Sequence, residues 1–181
     1  MHRGLRSSGG GFAVVMILLA GGCTSSASGP AQASTANRAP LHAVAGGCSG
    51  TVVTDSEPPV WAQTGFRHTQ GTPWPVPWAL GKPGDAVAML FSTQLVAGGS
   101  PRVDGSNNKV HWVVKDNPAN VVVDGRLFGQ SQPVVRVQGG PSIEEVPTPG
   151  CWTFRVTWGP HNERGSTINL EVLPAGTLPS T

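Results

Sequence analysis

Apolar residues recur at every second position in several stretches of the chain, the period of a half-buried strand rather than of a helix. In "CWTFRVTW", residues 151–158, Trp152, Phe154, Val156 and Trp158 share one face, while Thr153, Arg155 and Thr157 share the other. "TINLEVL", residues 167–173, repeats the pattern with Ile168, Leu170 and Val172, and "KVHWVVK", residues 109–115, with Val110, Trp112 and Val114. After a "GKPGD" turn at residues 81–85, "AVAMLFST" places Val87, Met89 and Phe91 on one face, expected to be the core side. Shorter candidate strands cover residues 50–55, 120–125, 133–138 and 142–147.

Eight short strands, separated by Gly, Pro and Asn turns with no amphipathic helix between them, predict an all-β chain. One wet face per strand suits an antiparallel β-sandwich, with an immunoglobulin-like arrangement the first choice. The closing pair, residues 150–158 and 167–173, reads as a hairpin. Composition agrees: 25 Gly, 17 Pro, no Tyr and only 12% charged residues favour short strands and many turns.

The N-terminus follows different rules. His2, Arg3 and Arg6 precede an apolar run at residues 12–20, "FAVVMILLA". Those nine residues are too few to span a bilayer, which takes roughly 20, and they match the apolar region of a secretory signal peptide instead. The next residues, "LAGGC" at 19–23, resemble the lipobox of bacterial lipoproteins, with Ala20 where Leu is usual. That resemblance implies cleavage after residue 22, acylation of Cys23 and a place on the outer, extracytoplasmic face of the cell membrane. A diacylated cysteine carries two chains, enough for stable anchoring where one would hold only reversibly. Residues 24–47, rich in Ser, Ala, Thr, Gly and Pro, then read as a flexible linker reaching about 25–30 Å, with Arg38 and His42 solvated. Residues 48–181 form the domain, near the modal domain length.

Loss of residues 1–22 removes Arg3 and Arg6 from the twelve Lys and Arg, leaving ten basic side chains against ten acidic ones. A neutral chain without a basic stripe is a poor nucleic-acid binder.

With Cys23 spent on lipid, two of the three cysteines remain, Cys48 and Cys151. In an exported chain they are expected to pair, closing a loop whose entropy is worth about 4–5 kcal/mol in a chain-entropy treatment. A reactive thiol at Cys151 would need a nearby base or cation, and the nearest cation in sequence is Arg155. A copper site of two His, a Cys and a Met would draw on His111, Cys151 and His161, but no methionine follows His161. "SIEEVP" leading into "PGCW", within residues 140–159, together with "SNNKVHWV" at 106–113, resembles small actinobacterial exported lipoproteins. That likeness implies a sandwich in the cell envelope and carries no catalytic residue. Against antibody-type domains, the cysteine spacing is longer and the tyrosine corner is missing.

Catalytic signatures such as H-E-x-x-H, G-x-S-x-G or a phosphate-binding glycine loop do not occur. Glu144 and Glu145, adjacent on a strand, point to opposite faces and read as solvated carboxylates, with no support for pairing either with Asp104 or Asp124. "DGSNN", residues 104–108, reads as a polar turn rather than a calcium loop. His42, His68, His111 and His161 lack ligand spacing, and neither a metal nor a cofactor is expected. The most suggestive stretch is "TPWPVPWALG", residues 72–81, with Trp61 and Phe66 upstream. Prolines confine this stretch to an edge or loop, where Trp74, Trp78 and Trp61 form either a lid on the core or a candidate binding surface. The reading is a non-catalytic envelope lipoprotein that binds or supports a cell-wall polysaccharide or an envelope protein. A wall-polysaccharide hydrolase and an accessory subunit of a membrane complex are the alternatives.

Overall fold

The structure, a computed structural model, describes residues 42–69 and 72–179. The expected signal segment, the expected lipidation site Cys23 and the expected linker as far as residue 41 lie outside the described residues. Among the described residues eleven strands form: β1 (Ala43–Val44), β2 (Val53–Thr54), β3 (Trp78–Leu80), β4 (Ala86–Leu90), β5 (Leu95–Val96), β6 (Lys109–Val114), β7 (Val122–Leu127), β8 (Val135–Gln138), β9 (Gly140–Ile143), β10 (Gly150–Trp158) and β11 (Arg164–Leu173). A single 3-10 turn, Val60–Ala62, interrupts them.

The chain is an all-β sandwich. One sheet runs β1-β2-β3-β4-β6-β9 and the other β5-β11-β10-β7-β8. Every pairing is antiparallel except β5 with β11. The chain therefore leaves the first sheet after β4 and joins the second beside its last strand. The run β11-β10-β7 follows the order of an immunoglobulin-like sandwich, and β1–β3 extend the opposite sheet. β10 and β11 make the expected closing hairpin, with Trp152 opposite Leu170 and Phe154 opposite Ile168.

The longest alternating runs fill the core as predicted. Val110, Trp112 and Val114 from β6, the four large residues of β10, and Ile168, Leu170 and Val172 from β11 are all buried in one cluster. Trp112 and Phe154 meet across the sandwich at 5.3 Å between ring centroids, an aromatic contact between the two sheets. Cys48 and Cys151 are disulfide-bonded with Cα atoms 5.8 Å apart, tying the loop before β2 to the start of β10.

Three expectations change. In β4 it is Ala86, Ala88 and Leu90 that join the core between the sheets. Val87 and Met89 face outward into a second apolar cluster, and Phe91 is 45% exposed. Small residues suit the inner face here because the core already holds Trp112, Trp152, Phe154 and Trp158. Secondly, the ordered domain begins before Cys48: Ala43 and Val44 pair with Thr54 and Val53, although His42 is exposed as expected. Thirdly, of the segment expected as a strand at 142–147 only Ser142 and Ile143 belong to β9, and Glu144 turns into the interior.

Candidate functional site

Residues 56–78 build the second cluster on the outer face of the first sheet. Trp78 begins β3, between β2 and β4, and its indole Nε1 donates to Ser56 O at 2.6 Å, fastening the start of the segment. Pro59, with its φ of −52°, leads into the 3-10 turn, where Ala62 is buried and Trp61 remains partly exposed. The Gln63 amide donates back to Pro58 O at 2.9 Å and to Glu57 Oε1 at 3.1 Å. Phe66 then packs on Trp74, with ring centroids 5.3 Å apart, and its edge meets His111 at 6.0 Å. The prolines thus hold a lid over Val87 and Met89.

This geometry separates the three candidate tryptophans. Trp74 is 6% exposed and Trp78 only 2%, so neither indole face is open to solvent as a platform, and Trp78 lies in a strand paired on both sides rather than on the edge or in the loop expected for it. Trp61, by contrast, is partly exposed beside open space. It borders a groove of about 460 Å³ whose other walls are Thr64 and Gly65, the β6 side chain His111, the turn carrying Asn117 and Asn120, and Gln138 at the end of β8.

The turn is shaped by residues that tolerate the left-handed region: Asp116, Asn117 and Asn120 have φ of 65°, 45° and 59°. Beyond it, Gly139 donates to Val121 O at 2.8 Å, and a Cβ there would come within 2.4 Å of the Val121 Cβ, so the groove wall depends on glycine at this position. Asn117, Asn120 and Gln138 each offer an amide donor and an amide acceptor. Burial, with Lys109 nearby adding to it, holds the His111 imidazole below its usual pKa and favours the neutral ring. No Asp, Glu, Lys or Arg lines this groove. An aromatic face beside uncharged amides can stack on a sugar ring and exchange hydrogen bonds with its hydroxyls.

The carboxylates do not converge on it. Glu144, expected to be solvated, is fully buried: its Oε1 accepts from Trp112 Nε1 at 2.8 Å and from the Ser142 hydroxyl at 2.6 Å. Burial raises its pKa against the opposing pull of those two bonds. Glu145 is exposed on the other side of the chain. Asp104 accepts from the Ser106 N–H at 2.9 Å and the Ser106 hydroxyl at 2.6 Å, as a polar turn should. Ser106 first, and Arg102 beyond it, hold the Asp104 carboxyl below the usual range. Asp124 pairs with Arg136 at 3.2 Å. Cys151 is spent in its disulfide, and among the described residues no group of three His, Cys, Asp or Glu could hold a metal ion.

Of the residues lining this groove, sequence reasoning singled out Trp61 as a candidate but passed over Asn117, Asn120 and Gln138, which come from a turn and a strand end that only the folded sheet brings beside it. Among the described residues no helix is long and apolar enough to cross a membrane. Comparison of the chain with protein-family models, with curated proteins and with solved structures gave no match.

Proposed function

We propose that the protein is a cell-envelope lipoprotein, anchored through Cys23 on the extracytoplasmic face of the membrane, whose sandwich is a non-catalytic module that binds cell-wall polysaccharide. The observation that carries the binding reading is the groove itself: a partly exposed indole at Trp61 beside the amides of Asn117, Asn120 and Gln138. Its lining has no carboxylate, whereas glycoside hydrolysis ordinarily needs two flanking the bond to be cut. Support for the anchor comes from the "LAGGC" motif behind a short apolar run.

The binding test uses the mature chain with Cys23→Ser, co-sedimented with insoluble cell-wall polysaccharide beside a Trp61→Ala variant. The parent is expected in the pellet and the variant in the supernatant. Equal sedimentation of both, or of neither, removes the groove from the reading. For the anchor, cells fed labelled palmitate should label the parent and not Cys23→Ser; an unlabelled parent refutes it.

A further inference from the structure

The hairpin of β7 and β8 carries a graded surface that the Trp61 groove does not use. Its tip, residues 128–134, has no charged side chain and presents two apolar ones to solvent: Phe128 is 54% exposed and Val134 66%. Both are held by backbone bonds where the strands end, the Phe128 N–H donating to Cys151 O at 2.8 Å and the Val134 N–H to Gly125 O at 2.9 Å. Two residues inward on each arm stands an arginine, Arg126 on β7 and Arg136 on β8. The strands turn Val123 and Val135 into the core, so alternation sets each arginine on the outer face together with the apolar residue at the tip of its arm, about 7 Å away along the strand. Arg155 of β10 joins them one strand over, opposite Asp124.

Asp124 is the sole carboxylate of β7, β8 and β10. It pairs with Arg136 at 3.2 Å, and the Arg136 side chain remains 70% exposed. Arg126 and Arg155 make no ion pair among the described residues. The next carboxylate of the sheet, Glu171, lies beyond Cys151 on β11 and accepts from Gln94 Nε2 at 2.8 Å. This part of the surface is therefore cationic, although acidic and basic residues balance over the chain from residue 23 on.

An apolar tip with arginines one pleat behind it has the profile of a bilayer interface, where apolar groups enter by about 5–10 Å and guanidinium groups pair with phosphate at the headgroup level. A soluble polyanion has no use for Phe128 and Val134, and a neutral apolar partner none for the arginines. We propose that the β7–β8 hairpin docks tip-first on an anionic lipid bilayer, with Phe128 and Val134 in the interface and Arg126, Arg136 and Arg155 on lipid phosphates. The inference rests on the anchor proposed at Cys23, which keeps a bilayer within reach. The linker expected at residues 24–41 reaches about 20–25 Å, more than the radius of gyration of about 14 Å for a domain this size, so the tether does not select which surface lies down. The hairpin makes that choice. Asn120 and Gln138 of the groove stand at the opposite end of the same two strands, about 25 Å from Phe128, so docking lifts the groove off the lipid.

The test sediments the chain from residue 23 on, carrying Cys23→Ser, with vesicles of phosphatidylcholine alone or of equal parts phosphatidylcholine and phosphatidylglycerol. Binding to the anionic vesicles should exceed binding to the neutral ones at least about tenfold at low salt. Arg126→Gln and Arg155→Gln, which break no ion pair, should each weaken it about fivefold, a difference that fades near 1 M salt. Phe128→Ser should weaken it by a factor that salt does not change. Melting temperatures equal to the parent's show that the variants are folded. Equal binding to both kinds of vesicle, or to neither, overturns the proposal. If the arginine variants bind less while Phe128→Ser does not, and soluble polyphosphate competes with the vesicles, the surface takes polyanions and the bilayer reading fails. The chain tested carries no acyl group, so its failure and that of the anchor are separable: vesicle binding beside an unlabelled parent in the palmitate experiment removes the anchor and keeps the docking hairpin, and label without vesicle binding does the reverse.

Discussion

The two apolar clusters of this protein sit on opposite faces of the same strand, and they are closed by different means. Between the sheets, β4 contributes Ala86, Ala88 and Leu90 to a core walled on both sides by hydrogen-bonded strands. On its other face, Val87 and Met89 meet Trp78 of the neighbouring β3 and are covered by Trp74 from a proline-rich segment without continuous pairing. The core is made by regular alternation; the lid is made by rings held in place by irregular backbone. That difference explains where open space occurs. Trp61 and Trp74 each border a recess on the lid side, whereas no residue of β10 or β11 lines either one. A cover built from loop can leave recesses that a strand would fill, and ligand sites are for that reason concentrated in such segments.

The largest test of this contrast is Phe154→Ala, which deletes a ring that meets Trp112 across the core. It should cost about 3–5 kcal/mol in chemical denaturation, a large share of the stability of a single domain. Removing the disulfide through Cys48→Ala with Cys151→Ala should cost about 2–4 kcal/mol, because it ties the loop before β2 to the start of β10 and closes a long loop. A loss as small as that of a surface substitution would mean the loop before β2 is held by its backbone bonds alone.

The lid should respond more locally. Trp78→Phe removes the bond to Ser56 O and some ring volume, for about 1–3 kcal/mol. If the lid opens as a unit of its own, limited proteolysis within residues 57–77 should quicken while the denaturation slope holds. A global loss equal to that of Phe154→Ala would show that lid and core melt as one cooperative body.

How far these regions could be read in the sequence follows the same contrast. β6, β10 and β11 were legible because six to ten residues of alternation leave one consistent face. β1, β3 and β5, at two or three residues each, offer too little pattern. Met89 misled because a strand covered on both faces has no polar side to mark its orientation. In the site, Trp61 announced itself by residue type, while Asn117, Asn120 and Gln138 read as ordinary turn and edge polar residues. Glu144 was the clearest failure: Ile143 beside it is 45% exposed and the carboxylate is inside. Its partner Trp112 lies on β6, which meets β9 only through pairing that places Val110 opposite Ser142, and a local pattern carries no trace of that.

Glu144 also supplies the smallest and most specific test, because it sets a polar group inside the better-sealed of the two regions. Its folded pKa lies above the ordinary carboxylate value, chiefly because of burial. Well below that ordinary value the carboxyl is neutral in both folded and unfolded chains and contributes no pH dependence. As pH rises through the unfolded value, the unfolded chain releases the proton first and is stabilised relative to the folded one. Stability from this group therefore falls until pH passes the raised folded value and is level above it. Glu144→Gln keeps an oxygen to accept from Trp112 Nε1 and the Ser142 hydroxyl and cannot ionise. Its melting temperature relative to the parent should therefore climb as pH rises from the ordinary carboxylate range and level off once pH passes the raised folded value. A constant difference across that range would mean that the carboxyl ionises in place, with its charge solvated, and that the sealed core is open at the β6–β9 edge.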